Sequence, residues 1–400
     1  MTRWAAKAER FTQVDSIGAL VIALLVVFEF VTGSHMLSST NLQNIVTSNA
    51  HIVVLAIGMV LVVTIGQLDL SVGSLAAFSS MSAALLLART GAPWWCGLLA
   101  GLLIGALVGL CQGLLVSRFA IPAFIVTVGG MIVLRGGVQW ESRALSIPVP
   151  RQFTVLGAGF LPDWGRIVGI DIATLIVGAT SACLLVWRIA ASSLRRSRLM
   201  GTPALDRALW MRAGTILVGA ALLVWLFGSG RRGTSFPVPG VVVLVLVLFY
   251  DLVTRRTVFG RHVSAIGGNA AAAALSGVDV KRIQAFVMMN MGALAALAGL
   301  MFAGRSTAAG PQDGLLWELD AIAAVFIGGA AVAGGRGSIF GALLGATLMA
   351  VLSNGLLLIG IGSDLATVIK GLVLLGAVVL DSLGRGSDPR DRVGRTQFIA

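Results

Sequence analysis

Residues 97–116 read Gly-Leu-Leu-Ala-Gly-Leu-Leu-Ile-Gly-Ala-Leu-Val-Gly-Leu-Cys-Gln-Gly-Leu-Leu-Val. This stretch carries no charged side chain, and a helix of about 20 mainly apolar residues is long enough to cross the hydrocarbon core of a bilayer. Within it Gly101, Gly105, Gly109 and Gly113 recur at every fourth position. Small residues at this spacing allow two helix backbones to approach closely in lipid. The segment therefore predicts a membrane-spanning helix with one face free of side chains.

The composition of the whole chain extends this prediction. Of its 400 residues 57% are hydrophobic and 12% are charged, the mean hydropathy is +0.95, and 51 residues are glycine. A soluble domain carries about 25% charged residues. The net charge of +12 could suggest nucleic acid, but the arginines fall in short loops between apolar runs. We expect a membrane protein in contact with lipid, and no nucleic-acid partner.

Twelve apolar runs follow one another along the chain. They lie near 17–33, 50–66, 72–88, 94–116, 121–138, 171–188, 213–228, 238–253, 283–303, 320–335, 338–359 and 364–381. Several are short or interrupted by glycine, so the expected number of spans is ten to twelve, with twelve favoured. The predicted fold is an all-α polytopic membrane protein.

The basic residues indicate the orientation. If the N-terminus lies in the cytoplasm, the clusters at 188–212, 255–282 and 385–395 all fall on that side, as the positive-inside rule requires. We therefore expect a bacterial inner-membrane protein with both termini cytoplasmic. Tryptophans are expected at the span ends, where they favour the headgroup level: Trp94, Trp95, Trp140, Trp187, Trp210 and Trp317. The cysteines are predicted to be small buried hydrophobic residues: Cys96, Cys111 and Cys183.

Two parts of the chain resemble each other. The first has Leu68-Asp69, the glycine series, Gln112-Gly113-Leu114-Leu115 and a last helix; the second has Leu319-Asp320, a shorter series, Asn354-Gly355-Leu356-Leu357 and a last helix. Matching spans are an odd number apart, so they predict an inverted repeat of five plus five helices. The expected divisions are a first half 17–140, an inserted helix pair 141–235, a second half 236–381 and a cytoplasmic tail 382–400.

The loop 255–282 contains a short alanine-rich segment. We predict a helix that Asn269 caps and Gly277 ends. A short helix in a basic cytoplasmic loop is well placed to dock on a partner protein, although a plain connector would show the same charge.

This loop, together with 318–338 and with Gly-Gln-Leu-Asp-Leu-Ser-Val-Gly-Ser at 66–74, resembles the ribose/xylose family of ABC importer permeases over most of 40–140 and 255–381. The resemblance implies a type II ABC importer-like fold and a coupling helix that contacts an ATPase subunit. It assigns the coupling role to Gly267, Gly268, Asn269, Ala272, Leu275, Ser276 and Gly277. The insert 141–235 is similar to that of the longer xylose-type permeases, which implies xylose or another pentose.

The same resemblance implies the partners: ATP-binding cassette ATPase subunits, a periplasmic sugar-binding protein and a second copy of the permease. No G-x-x-x-x-G-K-[ST] phosphate loop occurs in the sequence. We therefore expect no cofactor on this chain, with ATP and Mg²⁺ bound by the ATPase subunits. The histidines are scattered and no catalytic constellation is evident, so we expect no enzyme activity.

Polar side chains inside or beside the spans are candidates for the sugar path: Asn49, Gln67, Asp69, Ser71, Gln112, Asn290, Glu318, Asp320 and Asn354. Asp69, Glu318 and Asp320 precede or begin helices, so helix capping is slightly favoured over sugar contact for them. Glu29 and Asp171 are expected to reach the membrane interface. Arg135 and Lys370 lie within spans, and Lys370 could pair with a carboxylate from a neighbouring helix.

Other functions fit parts of the pattern. A secondary transporter would couple ions through a buried carboxylate such as Asp69 or Asp320, and a passive channel or membrane scaffold would need no ATPase. Within the resembling family, ribose, galactose, nucleosides or a signalling sugar are alternative substrates. Branched-chain amino-acid permeases share the broad fold, but residues 318–336 fit the sugar group better.

Overall fold

The computed structural model describes residues 2–200, 207–230, 234–331 and 334–385. In these ranges the helices α1 to α15 are, in chain order, Thr2–Val31, Ser39–Thr64, Val72–Thr90, Trp94–Phe119, Ala123–Ser142, Val155–Ala158, Ile172–Met200, Arg207–Gly228, Val238–Arg256, Val258–Gly268, Ala270–Leu275, Val280–Ser306, Trp317–Ile327, Ile339–Leu358 and Ser363–Arg385. A 3-10 turn covers Arg151–Thr154. The strand β1 (Ile147–Pro148) pairs antiparallel with β4 (Ala308–Ala309), and β2 (Arg166–Ile167) pairs with β3 (Ile170–Asp171).

Eight helices among the described residues are long and apolar enough to cross a membrane: α2, α3, α4, α5, α7, α9, α12 and α14. Two shorter apolar helices, Ser16–Val31 and Ala213–Gly228, coincide with the predicted runs 17–33 and 213–228. The predicted run 364–381 lies within α15. The all-helical polytopic architecture thus agrees with the prediction. The predicted tail 382–400 begins inside α15, and residues 386–400 lie outside the described residues.

The predicted span 320–335 is wrong. The helix α13 has 11 residues, which gives a length of about 16 Å against a hydrocarbon thickness of about 30 Å. It ends because Gly329 adopts φ +84°, and the amides of Gly329 and Ala330 bond back to the carbonyls of Phe326 and Val325. The sequence suggested a longer span because apolar residues continue past Gly329.

The glycine series in α4 packs directly on α12. A Cβ at Gly105 would lie 2.5 Å from the Cβ of Ala296, and one at Gly109 would lie 3.0 Å from the Cα of Gly292. The same series continues at Gly113, where a Cβ would lie 2.9 Å from the Cα of Ala285. The two backbones therefore touch along most of their length, as small-residue packing in membranes predicts.

The helix α2 is buried at the centre of the bundle, between α12, α13 and α14. Its first turn is tied to the end of α14 by a reciprocal amide pair, in which Asn41 and Asn354 exchange hydrogen bonds of 2.9 and 3.0 Å. On the other side of α14, a Cβ at Gly345 would lie 2.9 Å from the carbonyl carbon of Ala324 in α13. The shorter glycine series thus packs α14 against the half-length helix.

Three expectations about particular side chains are corrected. Trp317 is not exposed as expected of an interface residue: it is 9% exposed, its ring is tilted against His51 and meets Phe302 edge-on, and the centroid distances are 4.3 and 4.8 Å. Asp171 is buried, and its carboxylate accepts hydrogen bonds from Thr174 and Ser235 at the start of α7. The cysteines are not buried: Cys111 and Cys183 are exposed on the bundle surface and Cys96 is half-buried.

The α4–α12 contact generates a stability prediction. We expect Gly109→Ala to lower the free energy of unfolding by about 1–3 kcal/mol, because the added methyl group overpacks two touching backbones. Gly219→Ala in α8 is the control, since a Cβ there meets nothing within 4 Å. Thermal unfolding of the purified protein measures both, and an equal effect of the two substitutions would contradict the packing described here.

Candidate functional site

The loop between α9 and α12 forms two short helices at one end of the bundle. The hydroxyl of Thr257 caps α10 by accepting from the amide of Gly260 at 3.2 Å. Asn269 separates α10 from α11, and its side chain accepts from the amide of Ala272 at 2.9 Å. Gly277, with φ +85°, follows the last turn. The cap and the stop that the sequence predicted for this helix are therefore confirmed.

One side of α11 packs on the protein and the rest is open. Ala273 is 5% exposed, whereas Ala272 is exposed and Leu275 is 92% exposed. A single exposed apolar side chain is common on protein surfaces, so Leu275 by itself does not identify a contact surface. The six-residue helix is presented outward on a fixed base.

A cavity of about 380 Å³ lies beside α11. Its lining comes from α10, the turn after α11 and the first turns of α12: Phe259, His262, Gly277, Asp279, Arg282, Ile283 and Phe286. The Asp279 carboxylate caps α12 by accepting from the amide of Arg282 at 3.0 Å. The opening of this cavity and the exposed side of α11 therefore lie next to each other on the protein surface.

A second set of polar residues lies inside the bundle, before α3. Asp69 is 1% exposed, and its carboxylate accepts from the amide and the hydroxyl of Ser71 at 2.8 and 2.7 Å. Ser71 also lies within hydrogen-bond distance of the Gln112 amide group in α4. The structure thus joins three of the predicted path residues in one cluster. The Asp69 carboxylate stabilises the turn before α3 through its bonds to Ser71, and it accepts no hydrogen bond from the amides of α3 itself.

The start of α13 meets the start of α3 beside this cluster. A Cβ at Gly73 would lie 2.5 Å from a carboxylate oxygen of Glu318. Arg135 in α5 donates to the carbonyls of Pro311 at 3.3 Å and Asp313 at 2.7 Å, in the segment that precedes α13. These bonds pair one nitrogen of the Arg135 guanidinium with backbone carbonyls within a span.

Lys370 and Asp320 form an ion pair between α15 and α13. The ammonium nitrogen lies 3.0 Å from each carboxylate oxygen, and both side chains are about three-quarters buried. The pairing that the sequence suggested for Lys370 therefore exists, with Asp320 as its partner. Capping is not the role of the Asp320 side chain in this arrangement.

Four predicted path residues lie elsewhere. Asn49 donates to the carbonyl of Ile45 in its own helix, and Asn290 accepts a hydrogen bond from Tyr250. Asn354 belongs to the amide pair with Asn41. Gln67 lies in the turn between α2 and the Asp69 cluster, and its side-chain oxygen is buried without a hydrogen-bond partner.

Sequence reasoning missed two groupings. Arg305 at the end of α12 donates hydrogen bonds to Thr47 and Asn44 of α2. One turn further along α2, the His51 ring contacts the rings of Phe302 and Trp317. These residues are distant in sequence and have no spacing that would reveal their proximity. Among the described residues, no group of three or more His, Cys, Asp or Glu side chains is arranged to hold a metal ion.

Comparison with known proteins gives consistent matches. Residues 41–378 match the family described as branched-chain amino acid transport system / permease component. The chain is 34% identical over 370 residues to the xylose transport system permease protein XylH of Haemophilus influenzae, covering 91% of this chain and 95% of that protein. It is 34% identical to XylH of Escherichia coli K12, covering 91% and 90%, and 31% identical to the ribose import permease protein RbsC of the same strain, covering 90% and 92%. No solved structure matches the chain.

The ion pair between α13 and α15 allows a quantitative test. We expect Asp320→Asn to lower the free energy of unfolding by about 2–3 kcal/mol, because it leaves Lys370 charged and unpaired. Adding Lys370→Met should restore most of the loss, since the double variant removes both charges.

Asp364→Asn, at an exposed position in the first turn of α15, serves as the control. Thermal unfolding in lipid nanodiscs compares the variants. A double variant that is less stable than Asp320→Asn alone would show that the two charges do not stabilise each other.

Proposed function

The chain belongs to the branched-chain amino acid transport system / permease component family and is the membrane permease subunit of a monosaccharide ABC importer, for which we propose xylose or another pentose as the substrate. It is a multi-pass transport protein and not an enzyme. The predicted resemblance to ribose/xylose permeases is confirmed, because relatives named for both sugars align with nine-tenths of the chain.

Xylose and ribose are both pentoses, so all these relatives support a pentose, and the relatives with the higher identity favour xylose. The two XylH proteins are 34% identical to this chain, compared with 31% for RbsC. The long insert 141–235 also fits a xylose-type permease, and it contains the β2–β3 ladder and the pair α7 and α8.

An importer of this family works with ATPase and substrate-binding partners, and we propose that the ATPase docks on α11. The observation that carries this proposal is the outward presentation of Leu275 on a capped helix beside the cavity at Phe259 and Phe286. The coupling residues would be Gly267, Gly268, Asn269, Ala272, Leu275, Ser276 and Gly277. ATP and Mg²⁺ would be bound by the ATPase subunits, and this chain would convert their closure into movement of its helices.

The sugar path is proposed to pass the polar cluster at the starts of α3 and α13. Carboxylate, amide and hydroxyl groups can exchange hydrogen bonds with sugar hydroxyls, and Asp69, Ser71, Gln112 and Glu318 offer all three kinds. Gln67, with its unpaired buried oxygen, and Asp320 flank the cluster. Asn49, Asn290 and Asn354 would contribute only if their present partners were exchanged.

We further propose a location in the bacterial inner membrane, with both termini and α11 in the cytoplasm. The basic residues on α10 and at the start of α12 support this orientation: Arg261, Lys281 and Arg282. The half-length α13 and the turn before α3 would occupy equivalent places in an inverted repeat of five plus five helices, with α7 and α8 inserted.

We propose that two copies of the chain form a homodimer. The helix α5 buries few of its side chains within one chain, and an apolar strip remains open on it: Phe124, Ile125, Ile132 and Val133. An open strip on α15 includes Leu365, Val368, Leu372 and Leu375. Lipid covers such faces in a monomer, whereas a homodimer would bring two of them together.

The docking proposal predicts the effect of one charged substitution. Leu275→Glu should abolish co-purification of the ATPase and lower ATP-driven uptake by about tenfold or more, because it places a charge at a desolvated contact. The permease should keep its thermal stability, since Leu275 is almost fully exposed.

Val168→Glu is the matched control. Val168 is 94% exposed but lies in the β2–β3 turn, away from α11. Retained ATPase binding by Leu275→Glu, or equal loss in both variants, would refute docking at α11.

The substrate proposal has a separate test. Cells without other pentose transporters should accumulate labelled xylose when they express this chain with the ATPase and binding protein encoded beside it. Excess unlabelled xylose should compete strongly and excess ribose weakly. Stronger competition by ribose or by a hexose would reject xylose as the substrate.

A further inference from the structure

Three chain segments meet at the end of the bundle that carries α11, and we call their meeting point the glycine joint. It consists of Thr64–Gly66 at the end of α2, Gly267 at the end of α10, and Gly334–Gly337 before α14. The Gly335 amide donates to the Thr64 carbonyl at 2.8 Å, which links the first and third segments directly. A Cβ at Gly334 would lie 2.9 Å from the Cα of Gly66.

Gly267, at the end of α10, packs between the other two segments. A Cβ at Gly267 would overlap the Thr64 carbonyl oxygen and would lie 2.5 Å from the Gly335 amide nitrogen. Only glycine fits there without moving a backbone. At the next position, a Cβ on Gly268 would meet nothing within 4 Å. The close contact is therefore specific to one of two adjacent glycines.

On its outer side, the joint connects to α11 through Gly268 and Asn269. Asn269 follows α10, its amide bonds back to Ala265 at 3.0 Å, and its side chain caps α11. The helix α10 is in turn fixed at its start by the Thr257 cap and packs through Val263 and Ile266 into the core. The helices α10 and α11 are therefore separated by Asn269 alone, which hydrogen-bonds to both of them.

On its inner side, the joint connects to two elements beside the proposed sugar path. Gly66 begins the turn that reaches Asp69, and a Cβ at Gly337 would lie 2.9 Å from Val60 in α2. Ser338 directly after it caps α14 by accepting from the Gly341 amide at 3.1 Å. A movement of the joint thus acts on the turn before α3 and on the start of α14.

We propose that the glycine joint transmits movement of α11 to the turn before α3 and to α14, with Gly267 as the positioning residue that keeps α10 in contact with both. This inference rests on the proposed docking of the ATPase at α11. If Gly267 served only stability, its substitution would make the permease less stable but leave the sugar imported per ATP hydrolysed unchanged. This ratio therefore distinguishes a structural role of Gly267 from a role in coupling.

The experiment uses the complete importer, reconstituted in lipid vesicles with its ATPase and binding protein. Sugar imported per ATP hydrolysed is measured for wild type, Gly267→Ala and Gly219→Ala, the last in α8 where a Cβ meets nothing within 4 Å. We expect Gly219→Ala to stay within about twofold of wild type, and Gly267→Ala to fall by about tenfold while it still binds the ATPase and hydrolyses ATP. Equal ratios in the two variants would overturn the proposal.

Hydrogen exchange on the wild-type importer provides the test if Gly267→Ala does not assemble. Peptides that contain 64–67 and 334–337 should change their exchange rates together when vanadate and ATP trap the complex. Changed exchange in α11 without change in these two peptides would overturn the joint. Failure of the wild-type complex to couple uptake to ATP at all would instead overturn the proposed docking.

Discussion

Buried backbone polarity is the constraint on which this structure depends. In lipid, each unpaired amide or carbonyl costs several kcal/mol, so chain can leave a helix inside the membrane only where protein satisfies it. The turn after α2 meets this condition through amide bonds from Gly66 and Gln67 back to Val63 and Val62. The turn after α13 repeats the same pattern, and glycine permits both because each needs a positive φ.

The position of these turns explains how the site is built. The turn after α2 places Asp69 and Ser71 at the start of α3. The segment before α13 brings Glu318 next to them, since a Cβ at Gly73 would lie 2.5 Å from a Glu318 carboxylate oxygen. Polar side chains in this buried region can hydrogen-bond a sugar without facing lipid. The glycine contact between α4 and α12 packs two of the surrounding helices backbone to backbone. The short helix α11, at the end of this arrangement, is where we propose that the ATPase docks.

Several features of the fold could be predicted from short sequence patterns. The glycine series predicted close packing of α4 but not its partner α12, and Asn269 and Gly277 predicted the limits of α11. Caps and small-residue faces depend on residues near in sequence. The length of α13 was not predictable, since hydropathy continues past Gly329 although the helix does not. The partners of Trp317 and Arg305 were missed for another reason: each lies in a helix distant in sequence, and no periodicity encodes such contacts. Lys370 was predicted to need a carboxylate, but only the structure identifies Asp320.

The central claim is that this chain moves a sugar because a partner ATPase acts on α11. Vesicles containing the purified permease, ATPase and binding protein test it most directly, with ATP supplied only on the side that α11 faces. We predict sugar accumulation that requires this ATP, ends when the ATPase is omitted, and continues when an uncoupler collapses the proton gradient. Accumulation that persists without ATP and disappears with the uncoupler would contradict the account and would identify an ion-coupled transporter.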